Sequence, residues 1–101
     1  MKLVQLLLPL SDNQGRRYDA ALFQHLQKTL TDRFGGVTAY TRAPAEGWWA
    51  TGETHAKDDI VIVEVMVETL DEAWWHALKL QLERDLKQDE IIIRAQPMAL
   101  L

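Results

Sequence analysis

The chain has 101 residues, 48% of them hydrophobic, and a formal net charge of −4. This size and composition predict one globular domain over residues 1–101, because such a chain builds one hydrophobic core and has no residues left for a second. The absence of cysteine excludes disulfides, thiolate metal sites and cysteine nucleophiles, and favours a reducing compartment, expected to be the cytoplasm. The eleven basic residues are scattered, so this acidic chain offers no basic surface for nucleic acid.

The first predicted element is a strand over residues 2–8, in an apolar stretch that continues to Leu10. We do not interpret this stretch as a signal peptide, because it is short, contains Gln5 and runs into residues 11–15 without a small-residue cleavage pattern. No stretch approaches the roughly 20 apolar residues that cross a bilayer. We therefore expect no membrane partner.

Two amphipathic helices are predicted by one spacing of large apolar residues that occurs twice. In each copy the residues fall within a stripe of roughly 120° on a helix, which is typical of a helix packed on a core. The first copy is Leu22-Phe23, Leu26, Leu30 and Phe34, and the second is Trp74-Trp75, Leu78, Leu82 and Leu86. The predicted helices cover residues 19–34 and 70–88. The first should end at Gly35, where glycine tolerates a left-handed cap, and the second should open with a capping box from Thr69 to Glu72.

Strand-like runs flank both helices. They cover residues 2–8, 37–41, 60–67 and 90–95, so the chain reads β-α-β twice. Two right-handed crossovers place both helices on one side of a four-stranded antiparallel sheet, which is the ferredoxin-like α+β sandwich. The opposite face of the sheet must then be solvated, covered by a partner or used to hold a ligand.

Alternation along the third strand predicts what that opposite face carries. If the all-valine side of this strand packs on the helices, the other side points away from them. The residues on that other side are Ile60, Ile62, Glu64 and Met66. Tyr40 with Arg42, or Ile92 with Arg94, would join them from neighbouring strands. So large an apolar surface is unusual on a monomer, and we expect a homodimer through the sheet face that leaves Glu64 paired with an arginine beside a cavity.

Three segments of the chain resemble known proteins. They are RFGGVTAYTRAPAEGW at 33–48, DDIVIVEV at 58–65 and AWW at 73–75. In these segments the chain is similar to a group of small, uncharacterised bacterial proteins, and the resemblance covers most of its length. It implies a ferredoxin-like, oligomer-forming fold with no assigned activity. A looser architectural likeness links the chain to the dimeric α/β-barrel proteins, which include cofactor-free monooxygenases and small isomerases, but no residue motif of those enzymes is present.

Two loop features are candidate sites. Trp48 and Trp49 are adjacent, and two indoles bury much area while still donating through their N–H groups, although they are also typical of a sheet edge or an interface. His55 lies between Glu53 and Asp58, a set of residue types that can hold a divalent metal or act as a general base. The spacing matches no metal motif, so we interpret it as a solvated loop and predict no metal site.

Charged residues at strand ends and on the predicted open face form a second candidate set. Its members are Arg42, Glu46, Glu64 and Arg94, with Tyr40 beside them. An arginine in such a place can hold a carboxylate or enolate ligand. The simpler interpretation is an intersubunit salt bridge, which we favour because buried charges need partners.

No nucleophile motif or glycine-rich phosphate loop is present, and we predict no cofactor. We expect a homo-oligomeric module that binds a small molecule or a protein through the open sheet face and the Trp48-Trp49 loop. The alternative is a cofactor-free enzyme, similar to a monooxygenase or isomerase, acting on a small organic substrate in a dimer cavity. There an arginine would polarise the substrate, and His55 or Glu64 would move a proton.

Overall fold

The computed structural model describes residues 1–42 and 60–101. In chain order its elements are β1 (Lys2–Pro9), α1 (Ala20–Phe34), β2 (Thr38–Arg42), β3 (Ile60–Val67), α2 (Glu72–Asp85) and β4 (Ile92–Pro97). The strands form one antiparallel sheet in the order β2-β3-β1-β4. The fold is therefore the predicted ferredoxin-like α+β sandwich, with β1 and β3 in the centre. Neither of the described helices has the length and apolarity needed to cross a membrane.

The hydrophobic core lies between the two helices and one face of the sheet. Every second residue of a strand points to the same face, so each central strand contributes alternate side chains. The buried strand residues are Val4, Leu6, Leu8, Val63, Val65 and Val67. The buried helix residues are Leu26, Leu30, Trp75, Leu78 and Leu82, and the C-cap residue Leu86 of α2 is buried with them. Two predictions are thereby confirmed, the inward valine side of the third strand and the apolar stripes of both helices.

The first helix is capped at both ends, and its C-terminal cap is the predicted Gly35. The carboxylate of Asp19 accepts a hydrogen bond from the backbone N–H of Ala21 at 3.0 Å. Gly35 closes α1 with a φ of 82°, a left-handed conformation that glycine adopts without the steric cost of a Cβ. The chain then turns through Gly36 into β2.

The start of the second helix differs from the predicted capping box, which is wrong. Asp71 is the N-cap in place of Thr69, and its carboxylate accepts a hydrogen bond from the backbone N–H of Trp74 at 3.2 Å. Aspartate and threonine can both satisfy a first-turn amide. Leu70, between them, packs against the core.

An aromatic cluster joins the end of α1 to the start of α2. The ring of Phe34 stacks on Trp75 with centroids 5.2 Å apart, and it meets Trp74 edge-on at the same distance. The guanidinium of Arg33 lies 4.5 Å from the Trp74 ring centroid, a favourable cation–π geometry. The prediction that these two tryptophans belong to the core is confirmed. The cluster holds in place the glycine turn that leads to β2.

The start of β4 is held by a side chain of α2. Oε2 of Glu83 accepts hydrogen bonds from Nζ of Lys79 and from the backbone N–H of Ile91, both at 2.9 Å. These donors, with Lys79 the larger cause, hold the pKa of the Glu83 carboxyl below its ordinary value. The contact positions β4, which brings Arg94 to the open face of the sheet.

Glu83→Gln should lower the free energy of unfolding at neutral pH and lose that effect in acid. Because the pKa of Glu83 is lower in the folded chain than in the unfolded chain, its stabilising contribution is complete above the ordinary value of 4.5. It disappears as the pH falls through the folded pKa. Urea unfolding of both proteins, from neutral pH down to about pH 3, measures the difference. Glu90→Gln is the control, because it removes a nearby charge and keeps the Glu83 hydrogen bonds. A Glu83→Gln deficit that persists unchanged in acid would contradict this assignment.

Candidate functional site

The open face is the side of the sheet turned away from the helices. Residues directly opposite each other on antiparallel strands share a face, so the strand register defines rows of side chains that cross the sheet. The polar row consists of Thr38, Glu64, Gln5 and Arg94. The isoleucine row consists of Ile62, Leu7 and Ile92, and the methionine row consists of Met66, Leu3 and Gln96. The polar row lies between the two others.

Gln5 links the two charged side chains of the polar row. Its Nε2 donates a hydrogen bond to Oε2 of Glu64 at 2.7 Å, and its Oε1 accepts one from Nε of Arg94 at 3.0 Å. The reverse amide orientation would set oxygen against the carboxylate and N–H against the guanidinium, so the two charges decide how the amide points. A carboxylate and a guanidinium are thus connected across three strands through a single amide.

Apolar side chains flank the polar row on both sides. Met66 is 52% exposed and Ile92 is 51% exposed. Leu3 and Leu7 are half-buried. Ile62, which was expected to be exposed, is buried in the single chain at 6% exposure, so that part of the prediction is wrong. Exposed apolar side chains such as Met66 and Ile92 on one sheet face are typical of an interaction or ligand-binding surface. The predicted combination of Ile92 and Arg94 with Glu64 on one half-apolar face is confirmed.

An open concavity of about 670 Å³ lies at the Glu64 end of the polar row. Glu64 and Thr38 contribute its polar side chains, and the Gly35-Gly36 turn contributes backbone. The apolar side chains that line it are Leu3, Phe34, Val37, Met66 and Met98. We name it the Glu64 basin. Its volume falls within the range of about 300–1,000 Å³ that is typical of small-molecule sites.

Two other concavities lie on the helical side of the sheet. One, between α1 and α2, measures about 110 Å³, which is small for an organic ligand. The other, between α1 and the strands β2 and β3, measures about 290 Å³, and its described lining includes no charged side chain. Ligand sites combine apolar walls with a few converging polar groups. A further concavity beside β4 measures about 170 Å³, and its lining combines apolar Val4, Trp75 and Ile93 with Glu72, His76 and Arg94. The Glu64 basin is favoured because it has a mixed lining and also a volume within the typical range.

The residues predicted as site candidates fall into three groups. Glu64 and Arg94 share the open face and are joined through Gln5. Tyr40 and Arg42 belong to β2, whose backbone register sets them opposite residues of the open-face side of β3. The candidates that lie outside the described residues are Glu46, Trp48, Trp49 and His55. Within residues 1–42 and 60–101, no three histidine or acidic side chains gather as a metal site would require.

Gln5 is a site residue that the sequence patterns did not single out. It stands in the middle of an apolar strand, in phase with Leu3 and Leu7, and out of phase with the buried residues of β1. A polar residue at such a position signals the solvent side of the strand. Its two hydrogen-bond partners, however, lie on other strands, so no local sequence pattern identifies them.

A similar fold is known from a phage enzyme. No family model and no curated protein matches the chain. Two chains of solved structures match, and one of them is a phage SAM lyase in complex with S-methyl-5′-thioadenosine. The TM-score is 0.61 at 16% sequence identity, and the alignment covers 94% of this chain and 79% of the lyase chain. At this identity the likeness shows the fold alone, and the resemblance to small bacterial proteins stays a prediction.

Gln5→Met should lower the free energy of unfolding by about 1–2 kcal/mol. The substitution keeps the side-chain volume but removes two hydrogen bonds to charged groups, whose contribution is reduced because Arg94 remains in water. Gln96→Met is the matched control, since Gln96 is exposed on the same face of β4. Urea unfolding of the two variants measures the difference. Equal losses of stability would show that the amide bridge contributes nothing specific.

Proposed function

We propose that the protein is a homo-oligomeric module that binds a small organic molecule on the open face of its sheet, in the Glu64 basin. A second copy of the chain covers the isoleucine and methionine rows and closes the basin. The polar row carries the proposal, because it sets a carboxylate and a guanidinium, joined by one amide, between two mainly apolar rows that include the exposed Met66 and Ile92.

Glu64 supplies the polar anchor of the basin. Its side chain is half-buried, and within the described part of the chain its Oε2 is the oxygen that accepts a hydrogen bond. Oε1 is therefore the oxygen that a ligand donor would meet. The apolar walls, which include Met66 and Met98, favour an apolar body beside that donor. A molecule that combines hydroxyl or amino donors with an apolar group fits this chemistry.

Self-association is supported by the side chains around the polar row. Met66 and Ile92 are each about half exposed, and they lie on opposite sides of the central strand β1. Burying such side chains against a second copy removes apolar area from water, the main favourable term in most protein association. A protein partner on this face is the competing occupant.

Trp48 and Trp49 belong to the proposed function as a second contact for the ligand or partner. They lie outside the described residues, and the proposal rests on the Glu64 basin without them. A cytoplasmic location stays a prediction.

S-methyl-5′-thioadenosine, which the phage SAM lyase binds, is the first probe, because it combines nucleoside donors with an apolar thioether. A ligand that binds only the folded protein, at about a hundred times its Kd, raises the free energy of unfolding by about 2.7 kcal/mol. Urea unfolding with and without the probe measures this gain. Glu64→Gln should reduce it, since a neutral amide accepts the donor less strongly.

Glu68→Gln is the matched control for this experiment. Glu68 is an exposed carboxylate just after β3, and its replacement should leave the gain in stability unchanged. A gain that is equal in wild type and Glu64→Gln would place the ligand elsewhere. A wild type that gains no stability from the probe, or from a panel of other nucleosides and small carboxylates, would argue against small-molecule binding.

The second candidate function is catalysis on a small organic substrate without a cofactor. The likeness to the phage SAM lyase favours it, because that neighbour is an enzyme with the same fold. In this version the Glu64 carboxylate accepts a proton from the bound substrate. Arg94 is not among the described residues that line the basin, and its part is to orient Gln5, which donates to Glu64. A carboxylate that lines the basin and accepts one hydrogen bond still has an oxygen with which to accept a proton.

Incubation with SAM tests the second candidate. Wild-type protein should release S-methyl-5′-thioadenosine faster than a protein-free solution does, and Glu64→Gln with an intact fold should lose most of this release. Chromatography of the reaction mixture measures it. Wild-type protein that binds the probe and releases nothing from SAM would contradict the enzyme and leave the binding module in place.

A further inference from the structure

The two charges of the polar row lie on opposite sides of β1. Gln5 stands between them, with Glu64 on β3 and Arg94 on β4. Adjacent strands are about 4.8 Å apart, so the two charges are displaced from Gln5 by one strand spacing in opposite directions. The open face therefore carries a charge pattern that changes sign across β1.

This pattern distinguishes between the ways in which two open faces can meet. Two sheets packed face to face in a symmetric dimer are related by a two-fold axis that lies between them and parallel to both. An axis that runs along β1 exchanges the ends of the polar row, so that Glu64 of each copy faces Arg94 of the other. An axis that runs across the strands sets Glu64 against Glu64 and Arg94 against Arg94, which is repulsive.

We infer that two copies of this chain pack their open faces around a two-fold axis along β1, with Glu64 of each subunit opposite Arg94 of the partner subunit. This inference rests on the proposed self-association and adds its symmetry and its pairing. The charge pattern of the open face is complementary to itself under this axis. A second copy therefore supplies an opposite charge to Glu64 and to Arg94, and no other partner is needed. Gln5 lies on the axis and faces its own counterpart.

The same two-fold axis relates the isoleucine and methionine rows of the two subunits. In the isoleucine row the axis brings Ile62 over Ile92 of the partner subunit, with Leu7 at the centre. In the methionine row it brings Met66 over Gln96 of the partner subunit, with Leu3 at the centre. Each row therefore packs on a copy of itself, and apolar side chains meet apolar side chains in the isoleucine row.

The axis also places part of the partner subunit over the Glu64 basin. It sets β4 of one subunit over β3 of the other, so that the partner subunit's Arg94 and Gln96 lie above Glu64 and Met66. The basin is lined on one side by Glu64 and Met66. The ligand site is accordingly incomplete in a single chain, and an arginine from the partner completes it.

Charge reversal at the two ends of the polar row tests the axis. E64R leaves two positive charges in each polar row, and R94E leaves two negative charges there. Each variant alone should dimerise at least about a hundredfold more weakly than wild type, because both intersubunit ion pairs become like-charge contacts. Sedimentation velocity over a series of concentrations measures the dissociation constants, and circular dichroism confirms that each variant is folded.

Mixing the two variants is the decisive step. The doubly positive face of one then meets the doubly negative face of the other, so a one-to-one mixture should dimerise within about tenfold of wild type. Within each variant Gln5 still lies between like charges. Recovery on mixing therefore reports contacts between subunits and not the hydrogen bonds within one chain.

A milder pair of variants serves if either charge reversal prevents folding. E64Q and R94Q each remove both intersubunit ion pairs from the homodimer, and a mixture of the two regains one of them. The mixture should then dimerise more tightly than either variant alone, by a smaller factor than in the reversal experiment.

The possible failures are distinguishable. A wild type that sediments as a monomer at high concentration would overturn both the proposed self-association and this axis. A wild-type oligomer that single charge reversals leave unchanged, a mixture that stays dissociated, or a wild-type trimer would overturn the axis and leave self-association in place.

Discussion

β1 is paired on both sides, and the alternation of its side chains decides what each face of the domain carries. Leu6 and its neighbours in phase fill the core, while Gln5 and its neighbours in phase point away from the helices. If β1 shifted by one residue against β3, Gln5 would point into the core, where no water can bind its amide, and a leucine would be exposed in its place. The burial of one face thus specifies the register, and the register assembles the polar row.

A charged row inside an apolar surface is costly to cover unless each charge finds a partner. Gln5 provides part of that pairing within the chain, with one hydrogen bond to each charge. In the proposed dimer, a second copy related by an axis along β1 would provide the rest. Self-association and ligand binding could then share one face, because the isoleucine row would supply an apolar contact while the Glu64 basin kept a polar anchor.

The likeness to a phage SAM lyase concerns the backbone path and not the residues that perform chemistry, since the two sequences are 16% identical. One fold supports many unrelated functions. The function proposed for this chain accordingly depends on what Glu64, Gln5 and Arg94 do on the open face. A nucleoside thioether enters as a probe because its donors and its apolar group suit the basin.

The sequence by itself determined both helices, four strands and the inward valine side of β3, because periods of 3.6 and 2 residues are local properties of the chain. Tertiary packing decided the rest. The N-cap of α2 is Asp71 and not Thr69, although both residue types can satisfy a first-turn amide. The bonds of Gln5 span 59 and 89 positions, so they exist only because β1 lies between β3 and β4. The sequence predicted the ferredoxin-like sandwich, but the strand register, which decides which side chains meet across the sheet, depends on the packing of the whole chain.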